Sequence, residues 1–177
     1  MKEFLPLAEV YAILEPGPVL LVSTAQDGRA NVMPMSWHTM MEFEPPLVGC
    51  VLSAANHSFK ALEATGECVL NVPTAELLDK LVECGNSHGD KVDKFARCGL
   101  TAVPSAQVQP PRVEECYANL ECRVVDRQLV GSYNFFVLEV VQAWRDPAVT
   151  APRTLHHRGY GKFMIAGEEV QTGSKMR

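Results

Sequence analysis

The sequence predicts a mainly β domain, an antiparallel barrel with two short helices inserted between strands. Three observations predict it. Apolar runs of strand length recur along the chain with short connections and turn residues between them. From Cys116 to Val124 the residues Cys116, Ala118, Leu120, Cys122 and Val124 alternate with Tyr117, Asn119, Glu121 and Arg123. That period of two marks a strand with one buried and one wetter face. Only two helical patterns, both short, interrupt the strands, whereas a doubly wound parallel sheet needs regular strand–helix alternation.

The elements follow in order. "LAEVYAIL" reads as a short first helix. "PVLLVSTA" is a buried strand, opened by Pro16, Gly17 and Pro18. Asp27-Gly28 in "QDGR" supplies the positive backbone angles of a hairpin turn. "ANVMPMSWHTMMEFE" is then one long return strand. Pro34 inside it cannot donate to a ladder, which argues for an edge or a bulge. "EPP" turns the chain into a third strand, "LVGCVLS".

"NHSFKALEATG" reads as a helix capped by Asn56 or Ser58 and ended by Gly66. "CVLNVP" is a fourth strand. "TAELLDKLVECG" is the second inserted helix, with Thr74 as its cap and an apolar stripe of Leu77, Leu78, Leu81 and Val82. "SHGDKVDKFARCG" is a loop with one helical turn. After the alternating strand, Gly131 marks a turn and "YNFFVLEVVQAW" is a strand apolar on both faces. Such a strand suggests that a second subunit covers the barrel. From Pro147 onward the chain is loop-rich, with a short hairpin near Gly167. The expected division is a domain over 1–150 and a tail over 151–177 that packs on the barrel or on a partner.

Composition narrows the function classes. The 177 residues are 47% hydrophobic, which suits one domain with a real core, and the net charge of −5 carries no nucleic-acid footprint. No window reaches the roughly 18 apolar residues of a membrane span. The N-terminal stretch lacks the apolar core and cleavage site of a signal peptide, so the expected location is the cytoplasm. Cys50, Cys68, Cys84, Cys98, Cys116 and Cys122 contain no C-x-x-C pair. They read as buried thiols rather than metal ligands or a disulfide framework. Reactivity at Cys84 or Cys98 would need access and a lowered pKa, and spacing shows neither.

No hydrolase, zinc, P-loop or dinucleotide fingerprint is present, and "RGYGKF" holds a single G-x-G. His156 and His157 are adjacent and point apart in an extended chain, which disfavours a shared metal. "LSAANHSFK" is different. It runs from a strand end into a helix start and gathers Ser53, Asn56, His57, Ser58 and Lys60. Free N–H groups, hydroxyls and a cation make a phosphate cradle or, equally, an ordinary capped helix. Lys91 and Lys94 could converge on the same anion or simply be solvated. Met35, Ser36, Trp37, His38 and Thr39 offer both apolar surface and hydrogen-bonding groups, which a flat heteroaromatic ligand requires. The alternative is a locally irregular strand with a surface tryptophan.

The ordered set PVLLVST, DGR, NVMPMSW, FEPPLV, SAANHSF, NVP and KVDKF resembles the flavin reductase-like family, including the flavoredoxins. The match runs from about Gly17 to Trp144. The resemblance implies an antiparallel, Greek-key-like split β-barrel that binds FMN and forms a homodimer. It implies that Met35, Ser36, Trp37, His38 and Thr39 line the isoalloxazine ring. It also implies that Ser53, Ala54, Ala55, Asn56, His57, Ser58 and Phe59 wrap the ribityl chain and phosphate, with Lys94 and Lys91 neutralising charge. "HHRGYGKF" resembles the family's closing segment, which would bring His157 and Tyr160 near the flavin or the partner subunit.

Hydride chemistry then belongs to the flavin, which explains the missing acid–base pair. NADH or NADPH would be the donor, and a small molecule or redox protein the acceptor. An electron carrier that makes no direct use of nicotinamide is the first alternative. A non-catalytic module binding haem through His38 or His157 is the second.

Overall fold

The computed structural model describes residues 1–14 and 17–173. Pro16, expected to help open the first strand, lies outside the described residues. A two-residue strand, β1 (Glu3–Phe4), leads through a 3-10 turn to α1 (Val10–Leu14). β2 (Leu20–Gln26) and β3 (Arg29–Met35) form the predicted hairpin. Asp27 and Gly28 have φ of 51° and 75°, the primed turn that suits the right-handed twist of paired strands.

β4 (His38–Phe43) and β5 (Pro46–Val51) form a second hairpin. α2 (His57–Thr65) ends at Gly66 in the left-handed region, φ 72°. β6 (Glu67–Val72), α3 (Leu78–Gly85) and α4 (Lys94–Cys98) follow. Short β7 (Ala102–Val103) and β8 (Arg112–Val113) pair with each other. β9 (Ala118–Asp126), α5 (Val130–Tyr133) and β10 (Phe135–Arg145) close the main sheet. β11 (Leu155–His157) and β12 (Phe163–Ile165) make a separate hairpin.

The expected single strand over 30–44 is two strands. β3 pairs with β2, whereas β4 pairs with β5. The strand order is β3-β2-β6-β9-β10-β5-β4, with β1 joined to β10, so β3 and β4 stand at opposite ends of the path. Only Ser36 and Trp37 connect them, and the three Cα–Cα steps from Met35 to His38 span at most about 11 Å. The sheet must therefore curl until its edges meet at Ser36-Trp37. The fold is a mainly β, antiparallel split barrel, open along one seam. Pro34 pairs opposite Leu21 on edge strand β3, where its missing N–H breaks no central ladder.

Two apolar clusters fill the molecule. One lies inside the barrel and includes Leu20, Val22, Val48, Leu70, Leu120, Phe136 and Leu138. The other lies outside β2–β3, beneath α3, α4 and β11, and includes Leu21, Val32, Leu81, Cys84, Phe95 and Leu155. β2 thus feeds both, which is why "PVLLV" shows no alternation. In the second helix only Leu77 and Leu81 of the expected stripe are buried, while Val82 is exposed. Thr74 makes no side-chain cap bond; a 3-10 turn at Ala75–Leu77 precedes α3.

Three further expectations shift. Gly131 sits within α5 rather than in a turn. The late hairpin turns at Gly159–Gly161, not at Gly167. The wetter face of β9 is dry over its first half, with Asn119 and Glu121 fully buried, and only Arg123 of the expected polar set is exposed. The segment around β7 and β8 covers it with polar partners. Glu121 accepts from Ala106 N at 3.0 Å, Gln107 N at 2.6 Å and Trp144 Nε1 at 2.9 Å. Asn71 Oδ1 accepts from Val113 N and Asn119 Nδ2. Buried polar groups persist in this way only when satisfied.

Candidate functional site

Two adjoining cavities lie along the edge of β3. The larger, about 500 Å³, is bounded by β3, the start of α2 and the segment from Gly85 to Lys94. Its wall includes Ala55, Asn56, His57, Ser58 and Lys60, so the helix-start segment singled out in the sequence does face a cavity. Asn56 holds the N-cap position of α2, but its side chain makes no cap hydrogen bond. α4 is capped differently, with Asp93 accepting from Ala96 N. Phe59 N donates to Asn56 O at 3.2 Å, which leaves the N–H groups of His57 and Ser58 as the unmet donors at the positive end of the helix dipole.

Ser58 is fully buried and its hydroxyl turns inward. It accepts from Asn31 Nδ2 at 2.8 Å and lies 3.4 Å from Thr24 Oγ1. Across the cavity stands Lys94, only 5% exposed. Its ammonium donates to Cys84 O at 2.9 Å and has no carboxylate partner among the described residues. A buried cation without a counter-charge is costly. The cavity offers the place for that counter-charge.

The second cavity, about 330 Å³, continues from the first across Pro34 and Gly85, which line both. A Cβ on Gly85 would come within 3.2 Å of Pro34 Cγ, so this glycine keeps the junction open. Met35 and Ser36 form one wall and His157 and Phe163 of the late hairpin another, with Leu81 and Val82 between. The His157 and Phe163 rings lie 5.2 Å apart, centroid to centroid. The hairpin is anchored by Val19 N to Leu155 O at 2.7 Å and by His156 Nδ1 to Gly17 O at 3.2 Å.

The remaining candidates are placed elsewhere. His38 and Thr39 line a third cavity along β4. His38 Nε2 donates to Pro18 O at 2.7 Å, and burial pushes its pKa down against the opposing effect of that bond. Trp37 is 71% exposed at the seam. Ser53, Ala54 and Lys91 are exposed and line none of these cavities. Phe59 is a core residue, its ring edge-on to Phe136 at 5.4 Å, because the buried face of α2 packs on the barrel interior. Tyr160 is fully exposed at the hairpin tip, with φ 52° between Gly159 and Gly161.

Sequence reasoning missed Asn31, Pro34, Gly85, His88 and Gly89 as cavity walls. The one available signal was Asn31, an amide on a strand whose neighbour Val32 is core. All six cysteines are buried, and burial pushes Cys84 up to about 12, so none is a nucleophile candidate. Among the described residues there is no metal-holding cluster and no helix long and apolar enough to cross a membrane.

Comparison with known proteins places this geometry. A crystal structure of an FMN-binding domain of a flavin reductases-like enzyme from Shewanella baltica is 30% identical. It superposes with a TM-score of 0.92 and covers 97% of each chain. The flavoredoxin of Desulfovibrio vulgaris shares the fold at a TM-score of 0.81 and 22% identity, over 90% of this chain and 91% of that one. YddH of Escherichia coli is 30% identical over 98% of this chain and all of its own length. Residues 14–164 match the flavin reductase like domain. The chain belongs to the flavin reductase-like family, whose structural neighbours include FMN-binding proteins and flavoredoxins.

Proposed function

We propose that this chain is an FMN-binding oxidoreductase of flavin reductase type. It would take hydride from NADH or NADPH and pass electrons to an acceptor. The observation that carries the reading is Lys94. It is a buried ammonium without a carboxylate partner among the described residues, and it faces an uncapped helix start across the larger cavity. That donor set fits a dianionic phosphate. The adjoining cavity, walled by Met35, Val82 and Phe163 with Ser36 at its rim, fits an aromatic ring with a polar edge. Kinship to the Shewanella baltica FMN-binding domain supports the same reading.

Within it, Lys94 and the free N–H groups of α2 would hold the phosphate end, and the Pro34–Gly85 junction would take the polyol. Met35 and the hairpin would exclude water from the ring. The flavin itself supplies the hydride chemistry when bound. The open cavity side leaves room for a donor to approach the ring.

We further propose a homodimer through the outer face of β10, β5 and β4. Phe135, Val137 and Val141 on that face are only half-buried, and Trp37, Met41 and Phe43 beside it are exposed. An apolar face of this kind marks an interface.

The test is reconstitution. The purified chain, incubated with FMN and desalted, should keep a yellow visible spectrum that NADH or NADPH bleaches without oxygen. A protein that stays colourless overturns the reading. A yellow protein that neither nucleotide bleaches is an electron carrier instead.

A further inference from the structure

We propose that Asn31 is the positioning residue that sets the width of the phosphate cavity. Through that width it would set the preference for a phosphorylated flavin over an unphosphorylated one. The inference rests on the FMN reading above and adds to it a residue that touches neither ring nor polyol in that reading.

Asn31 lies on β3 in the floor of the larger cavity and is 5% exposed. One side of its amide is tied to the α2 wall, since Nδ2 donates to Ser58 Oγ at 2.8 Å. Ser58 is the second residue of α2, and Thr24 Oγ1 lies 3.4 Å from the same hydroxyl. The first turn of the helix is thereby fixed to the barrel through buried hydrogen bonds, which gain directional strength in a dry setting.

The other side of the amide carries the opposite wall. A Cβ on Gly89 would collide with Asn31 Oδ1, and would stand 2.7 Å from its Cγ. Gly89 does not have positive φ, so backbone conformation does not demand glycine there. Close approach to Asn31 does. Gly89 belongs to the segment that runs into Lys94. One side chain thus acts as a wedge, with the helix N–H groups on one flank and the loop leading to the ammonium on the other.

A phosphate must meet both flanks at once, because its charge is shared between N–H donors and a cation. Its hold therefore depends on their separation. In that reading the uncharged parts of the flavin would lie toward the second cavity, which Asn31 does not line, so their contacts would not depend on the wedge.

The experiment uses the full chain stripped of flavin, titrated with FMN and separately with riboflavin. Gly89→Ala, Asn31→Ala and the double variant are compared with wild type, and circular dichroism reports the fold. Each single variant is expected to weaken FMN about tenfold while riboflavin changes less than about twofold. The double variant should be no weaker than Asn31→Ala, because the methyl added at position 89 then fills the space the amide vacated. Equal losses for both flavins, additive losses, or no loss would overturn the proposal. Should Asn31→Ala fail to fold, Gly89→Ala still decides by the FMN-to-riboflavin ratio. Failure of the FMN reading looks different: wild type would bind neither flavin, or both equally, and the wedge would fall with it.

Discussion

Lys94 and Lys91 stand three residues apart in one basic cluster, yet only Lys94, the first choice on sequence, is buried in a cavity wall. Lys94→Met should weaken FMN by about 10- to 100-fold, the worth of a charge-assisted hydrogen bond, while Lys91→Ala leaves it within about twofold. Flavin titration of the two variants checks this. His38 carries a pH effect. Its Nε2 is held by Pro18 O, its Nδ1 is buried without a hydrogen-bond partner among the described residues, and burial lowers its pKa. The folded protein therefore prefers the neutral ring. Below about pH 6.5 the unfolded chain takes up a proton that the folded chain refuses, so stability is full above that pH and falls below it. The fall levels off once pH passes the folded pKa. Urea unfolding from pH 7.5 to 5 should show it, and His38→Gln should flatten the curve.

At the scale of elements, β5 depends on one small residue. A Cβ on Gly49 would overlap Phe135 and come 2.9 Å from Met41 Sδ, because side chains from β10 and β4 cross over it. Gly49→Ala should cost about 1–3 kcal/mol by overpacking, read as a lower urea midpoint. The β2–β3 hairpin, the turn into β5, α2 and β9 were legible because turn residues and apolar spacing are local signals. The break at Ser36-Trp37 was not. Residues 30–44 have continuous strand propensity, and what divides them is that β2 and β5 are different partners. Likewise, Glu121 reads as a solvent-facing residue of β9 from its alternation alone. It is buried because a segment some 15 residues upstream folds over that face and donates to its carboxylate.

For the whole molecule, the half-covered sheet face bears on assembly. If it pairs two copies, a charge on it should separate them. Val137→Asp should convert a dimer to a monomer by light scattering while leaving strand content unchanged. A wild type that runs as a monomer at micromolar concentration would remove the interface. The sequence by itself determined the family, the antiparallel class and the helix start that faces the cavity, since each is written in residues close together along the chain. It also marked Lys94 as a cation of interest. Only the tertiary structure decided that Lys94 has no carboxylate partner among the described residues, that Asn31 stands between Ser58 and Gly89, and that His157 and Phe163 come to face Met35. Those facts depend on which distant segments share a volume, and that is set by closure of the sheet rather than by any local pattern.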